Sequence, residues 1–69
     1  MDEAIYIKLK GIVIRDLVAD PHREHFHAKE LQSDALTPEY RRAVEEVLEE
    51  LQAARRQRAA ASGTGPRPA

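Results

Sequence analysis

Half of the large hydrophobic residues of this 69-residue chain lie in one short segment, between Ile5 and Val18. The chain has no cysteine, so no disulfide can brace its fold. A chain of this length buries only about 60% of the surface that its unfolded form exposes. The clustering therefore predicts that this segment is the centre of one small domain, which a second copy of the chain completes.

Within that segment, the apolar residues Ile5, Ile7 and Leu9 alternate with polar ones. Alternation with a period of two is typical of a half-buried strand. Gly11 interrupts the pattern before β-branched residues resume. Residues 4–18 are therefore predicted to form either a small β-hairpin with its corner at Gly11 or one bent strand with a bulge there.

Two helices are predicted after the β segment. Thr37 is a good N-cap and Pro38 suits the first helical position. Apolar residues then recur along one helical face, which predicts a long amphipathic helix over residues 38–58. A short helix is predicted within residues 21–33, and a strand through residues 25–28 is the alternative there.

The predicted fold is thus a small α+β domain over residues 1–58, followed by a tail. Residues 59–69 are rich in alanine, glycine and proline and are predicted to be disordered. We expect the domain to be oligomeric, most simply a homodimer. Its predicted shared core contains Ile5, Ile7, Leu9, Val13, Val44, Val47, Leu48 and Leu51, and all of these except Val13 and Leu48 are assigned to the oligomer interface.

The composition argues against several classes of protein. The longest strongly apolar run has three residues, 12–14, whereas a membrane helix needs about 20. The acidic start of the chain is unlike a signal peptide. The sequence also has no phosphate-binding loop, nucleotide fingerprint or nucleophile motif. We therefore expect a cytoplasmic, non-enzymatic protein that needs no cofactor and does not bind membranes.

The net charge of −1 hides an acidic belt on the long predicted helix. Such a belt suits docking of a basic partner, and its members are Glu45, Glu46, Glu49 and Glu50. The predicted function is accordingly that of a protein-binding module, which acts as an oligomer through this acidic face or a strand edge. By analogy of size alone, it is an accessory or inhibitory factor of the kind that antitoxins and phage inhibitors represent.

DNA binding is the first alternative. The order strand, helix, helix in a dimer resembles the ribbon-helix-helix repressors and antitoxins. The resemblance implies a β-ribbon in the major groove of DNA, where Tyr6, Lys8 and Lys10 would face the bases. In this alternative, additional contacts with DNA phosphates come from the basic end of the long helix, namely Arg55, Arg56 and Arg58.

Metal binding is the second alternative. His22, His25 and His27 lie within six residues and have acidic neighbours. Imidazole and carboxylate groups together suit zinc, nickel or copper. Neither a helix nor a strand places all three histidines on one face. A divalent metal site would therefore require a loop that closes over them.

Overall fold

The computed structural model describes residues 1–63 and contains three α-helices in that range. Helix α1 spans Glu3–Ala19, α2 spans Arg23–Glu30 and α3 spans Pro38–Gly63. No β-strand occurs in this described part of the chain. The predicted α+β class is therefore wrong, and the architecture is a small helical one.

Residues 4–18 belong to α1, so the predicted hairpin and the predicted bent strand are both wrong. The helix begins where Asp2 caps it. The Asp2 carboxylate accepts hydrogen bonds from the backbone N–H groups of Ala4 and Ile5, at 3.0 and 3.3 Å. Gly11 lies inside the helix with an ordinary negative φ angle rather than at a turn or a bulge.

The buried residues of α1 explain why the alternating pattern was misleading. They are Tyr6, Val13 and Leu17, whose spacings of seven and four residues place them on one helical stripe. Ile5 and Ile7 are exposed, so the alternation does not separate a buried face from an exposed one. β-Branched residues lower helix propensity only slightly, and the packing of the stripe outweighs that preference.

The short middle helix is confirmed, because α2 (Arg23–Glu30) lies within the predicted range 21–33. The alternative strand does not form. Asp20 ends α1, and its backbone N–H donates to the Asp16 carbonyl oxygen at 2.9 Å. The Asp20 carboxylate then accepts a hydrogen bond from the His22 N–H at 3.1 Å, which tightens the turn into α2.

The long helix is also confirmed at its start. The Thr37 hydroxyl accepts a hydrogen bond from the Tyr40 N–H at 3.2 Å, and α3 begins at Pro38. The helix continues to Gly63, five residues beyond the predicted end. Residues 59–63 of the predicted tail are therefore helical, and residues 64–69 lie outside the described part of the chain.

The core lies mainly between α1 and α3. Val13 of α1 and Val44 of α3 are its largest fully buried side chains. The predicted core residues Ile5 and Ile7 are not part of it. The buried core cluster consists of Val13, Leu17, Val44, Val47 and Leu48, against which the partly buried Leu31 and Tyr40 pack.

Replacing Gly11 with alanine should stabilise the protein. A Cβ atom at this position meets no other atom within 4 Å. Alanine is favoured over glycine inside a helix by about 0.5–1 kcal/mol, so urea unfolding of Gly11→Ala should show a gain of that size. The measurements are made at low protein concentration, so that association between copies does not contribute to the measured change in stability. A loss of about 1 kcal/mol would contradict the helix, because alanine is disfavoured at the positive φ of a hairpin corner.

Candidate functional site

Helix α1 carries large apolar side chains on several of its sides, but only one stripe of them is buried. Here the exposed fraction reaches 62% for Ile7 and 78% for Val18. The large apolar side chains that α1 leaves exposed are Ile5, Ile7, Ile12, Ile14 and Val18.

Two pairs of exposed residues, one apolar and one basic, define a surface that we call the outer face of α1. Ile5 and Ile12 are seven residues apart and therefore share a side of the helix, and both are about half exposed. Lys8 and Arg15 repeat the same spacing on the adjacent side and are exposed. Neither basic side chain forms an ion pair within residues 1–63. The outer face is thus apolar with two uncompensated positive charges.

An apolar groove runs between the C-terminal half of α1 and the middle of α3. Its volume is about 410 Å³. Two charged residues, Glu50 and Arg55, lie at its edge. The apolar residues that line the groove are Ile14, Leu17, Val18, Pro21, Val47 and Leu51.

Glu46 of α3 joins α1 to α3 through a cluster of polar contacts. It accepts a hydrogen bond from the Tyr6 hydroxyl and one from Arg42 Nε at 2.7 Å, and Lys10 Nζ lies 3.4 Å away. The hydrogen bond from Tyr6, followed by that from Arg42, lowers the pKa of Glu46 to about 2. The same contact with Glu46 raises the pKa of Tyr6. The cluster therefore contains a carboxylate that stays ionised far into the acid range.

A second polar network surrounds His27, the one buried polar residue in the described part of the chain. Its Nε2 atom lies 2.7 Å from a carboxylate oxygen of Asp16, and its Nδ1 atom lies 2.7 Å from one of Glu30. The Tyr40 hydroxyl also donates to Glu30, at 2.8 Å. Each ring nitrogen of His27 thus lies within hydrogen-bonding distance of a carboxylate.

The neighbours of the network complete its electrostatics. Arg23 Nε donates to Asp16 at 3.1 Å. This contact, followed by the one from His27, holds the pKa of Asp16 below its ordinary value. Burial, together with the hydrogen bond to Glu30, raises the pKa of Tyr40 to about 12. The network joins residues of all three helices, so it is a structural connection between them.

The structure separates the four glutamates of the predicted acidic face. Glu46 belongs to the cluster with Tyr6, and Glu50 accepts a hydrogen bond from Lys10 Nζ at 2.9 Å. Glu45 and Glu49 are exposed on α3. Half of the predicted face is therefore engaged within the chain.

The residues predicted to contact DNA are also divided. Since no strand occurs in residues 1–63, the β-ribbon that the resemblance implied is wrong. Tyr6 and Lys10 bind glutamates of α3, whereas Lys8 is exposed on the outer face. Arg55 forms two hydrogen bonds with the Glu24 carboxylate, at 2.9 and 2.5 Å. The other two arginines of that set, Arg56 and Arg58, are exposed.

The three histidines do not converge. His22 and His25 are exposed, whereas His27 is buried between two carboxylates. Within residues 1–63, no group of three or more metal-binding side chains is placed to hold an ion. The metal-binding alternative therefore has no geometric support in the described part of the chain.

The residues predicted to form the oligomer interface lie in three different environments. Val44 and Val47 are buried in the core of their own chain. Ile5 and Ile7 are exposed on α1. Leu9 and Leu51 are half-buried, and Leu51 lines the groove.

Two features were not predicted from the sequence, namely helix α1 and the network around His27. The sequence does contain a signal for the helix. Residues 5–11 and 12–18 repeat with a period of seven, so that Ile5, Ile7 and Lys8 match Ile12, Ile14 and Arg15. Such a repeat is typical of a helix. The network around His27 left no comparable signal, because Asp16 and Tyr40 reach it from two other helices.

Comparisons with models of protein families, with curated proteins and with solved structures find no match for this chain. None of the helices in residues 1–63 has both the length and the apolar character needed to cross a membrane. The function is therefore inferred from the geometry of the chain itself.

The acid stability of the protein should depend on Glu46. Its pKa is about 2 in the folded chain, against an ordinary value of 4.5. The unfolded state therefore binds more protons between these values, and the stabilisation that Glu46 provides is present above pH 4.5 and lost as the pH falls toward 2. Glu46→Gln should lower stability at neutral pH and flatten the decline in acid. Urea unfolding at several pH values measures both effects.

Glu45→Gln is the matched control for that experiment. Glu45 is adjacent in the sequence and exposed, and it forms no ion pair within the described residues. Its replacement should leave the acid limb of the stability curve unchanged. Equal curves for Glu46→Gln and Glu45→Gln would contradict the assigned role of Glu46.

Proposed function

We propose that this chain is a non-enzymatic protein-binding module whose outer face of α1 binds another protein. The observation that carries the proposal is that α1 buries one stripe of apolar residues and leaves large apolar side chains exposed outside it. Exposed apolar patches on small proteins mark interaction sites. The proposal keeps the cytoplasmic location and the accessory or inhibitory role expected from the sequence.

The chemistry of the outer face indicates the kind of partner. Ile5 and Ile12 supply apolar contact on one side of the helix. Fully burying an exposed isoleucine is worth about 1.5–3 kcal/mol, and about half of each side chain is still exposed for a partner to cover. Lys8 and Arg15 lie beside them without ion-pair partners in residues 1–63. A partner with an apolar centre and an acidic rim complements this surface, since it pairs both cations while covering both isoleucines.

The other polar groups support binding rather than catalysis. The side chains around His27 and around Glu46 hydrogen-bond with one another. The groove is lined by apolar side chains, and the two ionic residues at its edge are paired within the chain. A general acid or base needs a free position facing a bound substrate. These groups are engaged in holding the helices together instead.

The acidic side of α3 is a weaker candidate for the binding surface. Only Glu45 and Glu49 of the predicted set extend freely from it. Exposed charges of this kind contribute little to affinity unless apolar surface is buried with them. The outer face of α1 combines both kinds of contact, and we therefore assign the partner to it.

Site-specific photo-crosslinking in the source cell tests the proposal. A photoreactive amino acid at Ile12 should give a discrete adduct with another protein, because this position lies within the proposed interface. Mass spectrometry identifies the adduct, and acidic residues should surround its crosslinked site. The same amino acid at Gln52, which is exposed on α3, is the matched control and should not give that adduct.

Two results would overturn the assignment. One is the absence of a specific adduct at Ile12, or an identical set of adducts at Ile12 and Gln52. The other is retention of binding in Lys8→Glu with Arg15→Glu, since charge reversal should repel an acidic partner. Sedimentation with phosphatidylserine vesicles that depends on Lys8 and Arg15 would assign the face to a membrane surface instead.

A further inference from the structure

We propose that the groove between α1 and α3 is the surface through which two copies of this chain associate. The inference rests on the proposed function, since it treats the apolar surface of α1 as binding surface. The groove lies on the other flank of α1 from the outer face. Its proposed occupant is the same groove of a second copy of the chain. The two grooves would face each other across a two-fold axis.

The shape of the groove suits such a pairing. In a two-fold interface the same patch serves both partners, so it needs protruding side chains as well as a hollow. Val18 protrudes from the α1 wall with 78% of its surface exposed, and Ile7 is exposed on the same flank one repeat before Ile14. The hollow next to them has a volume of about 410 Å³. Each copy therefore offers both a ridge and a recess.

The charges at the edge of the groove favour a second copy over a charged partner. Glu50 accepts a hydrogen bond from Lys10 at 2.9 Å, and Arg55 donates to Glu24 at 2.9 Å. A second copy can therefore cover the groove without burying an unpaired charge. The edge also offers no free charge that would select a partner of opposite sign.

The outer face of α1 is unsuited to self-association for the opposite reason. Lys8 and Arg15 carry positive charges that have no ion-pair partner in residues 1–63. A two-fold axis through that face would bring like charges together, which is unfavourable. The two flanks of α1 thus differ in the partner that they fit.

Analytical ultracentrifugation of the full chain over a wide concentration range tests the proposal. The parent should sediment at twice its 7.8 kDa mass at high concentration. Val18→Glu should weaken association at least about 100-fold, because each dimer would bury two unpaired carboxylates. Leu51→Glu, on the opposite wall of the groove, should have the same effect. Ile12→Glu on the outer face is the matched control and should leave the dimer intact.

Helical circular dichroism at low concentration verifies that each variant is folded, and the high exposure of Val18 favours this. A parent chain that stays monomeric at all concentrations would overturn the proposal. Equal weakening by Ile12→Glu and Val18→Glu would also overturn it. A parent chain that stays monomeric does not affect the adduct with another protein that is expected at Ile12, so failure of the dimer and failure of the proposed function are distinguishable.

Discussion

The structure depends on the packing of one stripe of α1 against α3. Val13 and Leu17 of α1 belong to the same buried cluster as Val44, Val47 and Leu48 of α3. Polar contacts at Glu46 and His27 fix the helices around it. The remaining helix, α2, is linked to this pair by hydrogen bonds from Arg23 to Asp16 of α1 and from Arg55 of α3 to Glu24.

The same packing determines what the rest of α1 can do. Because α3 occupies a single stripe, the other apolar positions are divided into two flanks with different charges beside them. The outer face carries Lys8 and Arg15 unpaired within the described residues, whereas the ions beside the groove, Glu50 and Arg55, are neutralised in their own chain. A cationic flank suits an acidic partner, and a neutral flank suits a second copy. This difference underlies both proposals.

Local chemistry made parts of the fold predictable. Thr37 caps α3 through a contact within its own segment, so the sequence alone located the start of that helix. Apolar and polar residues alternate over residues 5–10 as they do in a strand. The segment is nevertheless helical because Val13 packs against α3, and α3 lies outside any short sequence window around Val13. The seven-residue repeat was the overlooked signal. Burial of His27 was unpredictable because it requires Asp16, from another helix, to supply a partner.

Nuclear Overhauser contacts between methyl groups test the central claim, which is that α1 is a helix packed through a single stripe. In a dilute, methyl-labelled sample, Val13 should contact the methyl groups of Val44, and Ile12 should show no contact with α3. Amide contacts between neighbouring residues should continue from Glu3 to Ala19, as they do in a helix. Contacts between Ile7 and Ile14 of the kind that paired strands give, without a contact between Val13 and Val44, would contradict the account.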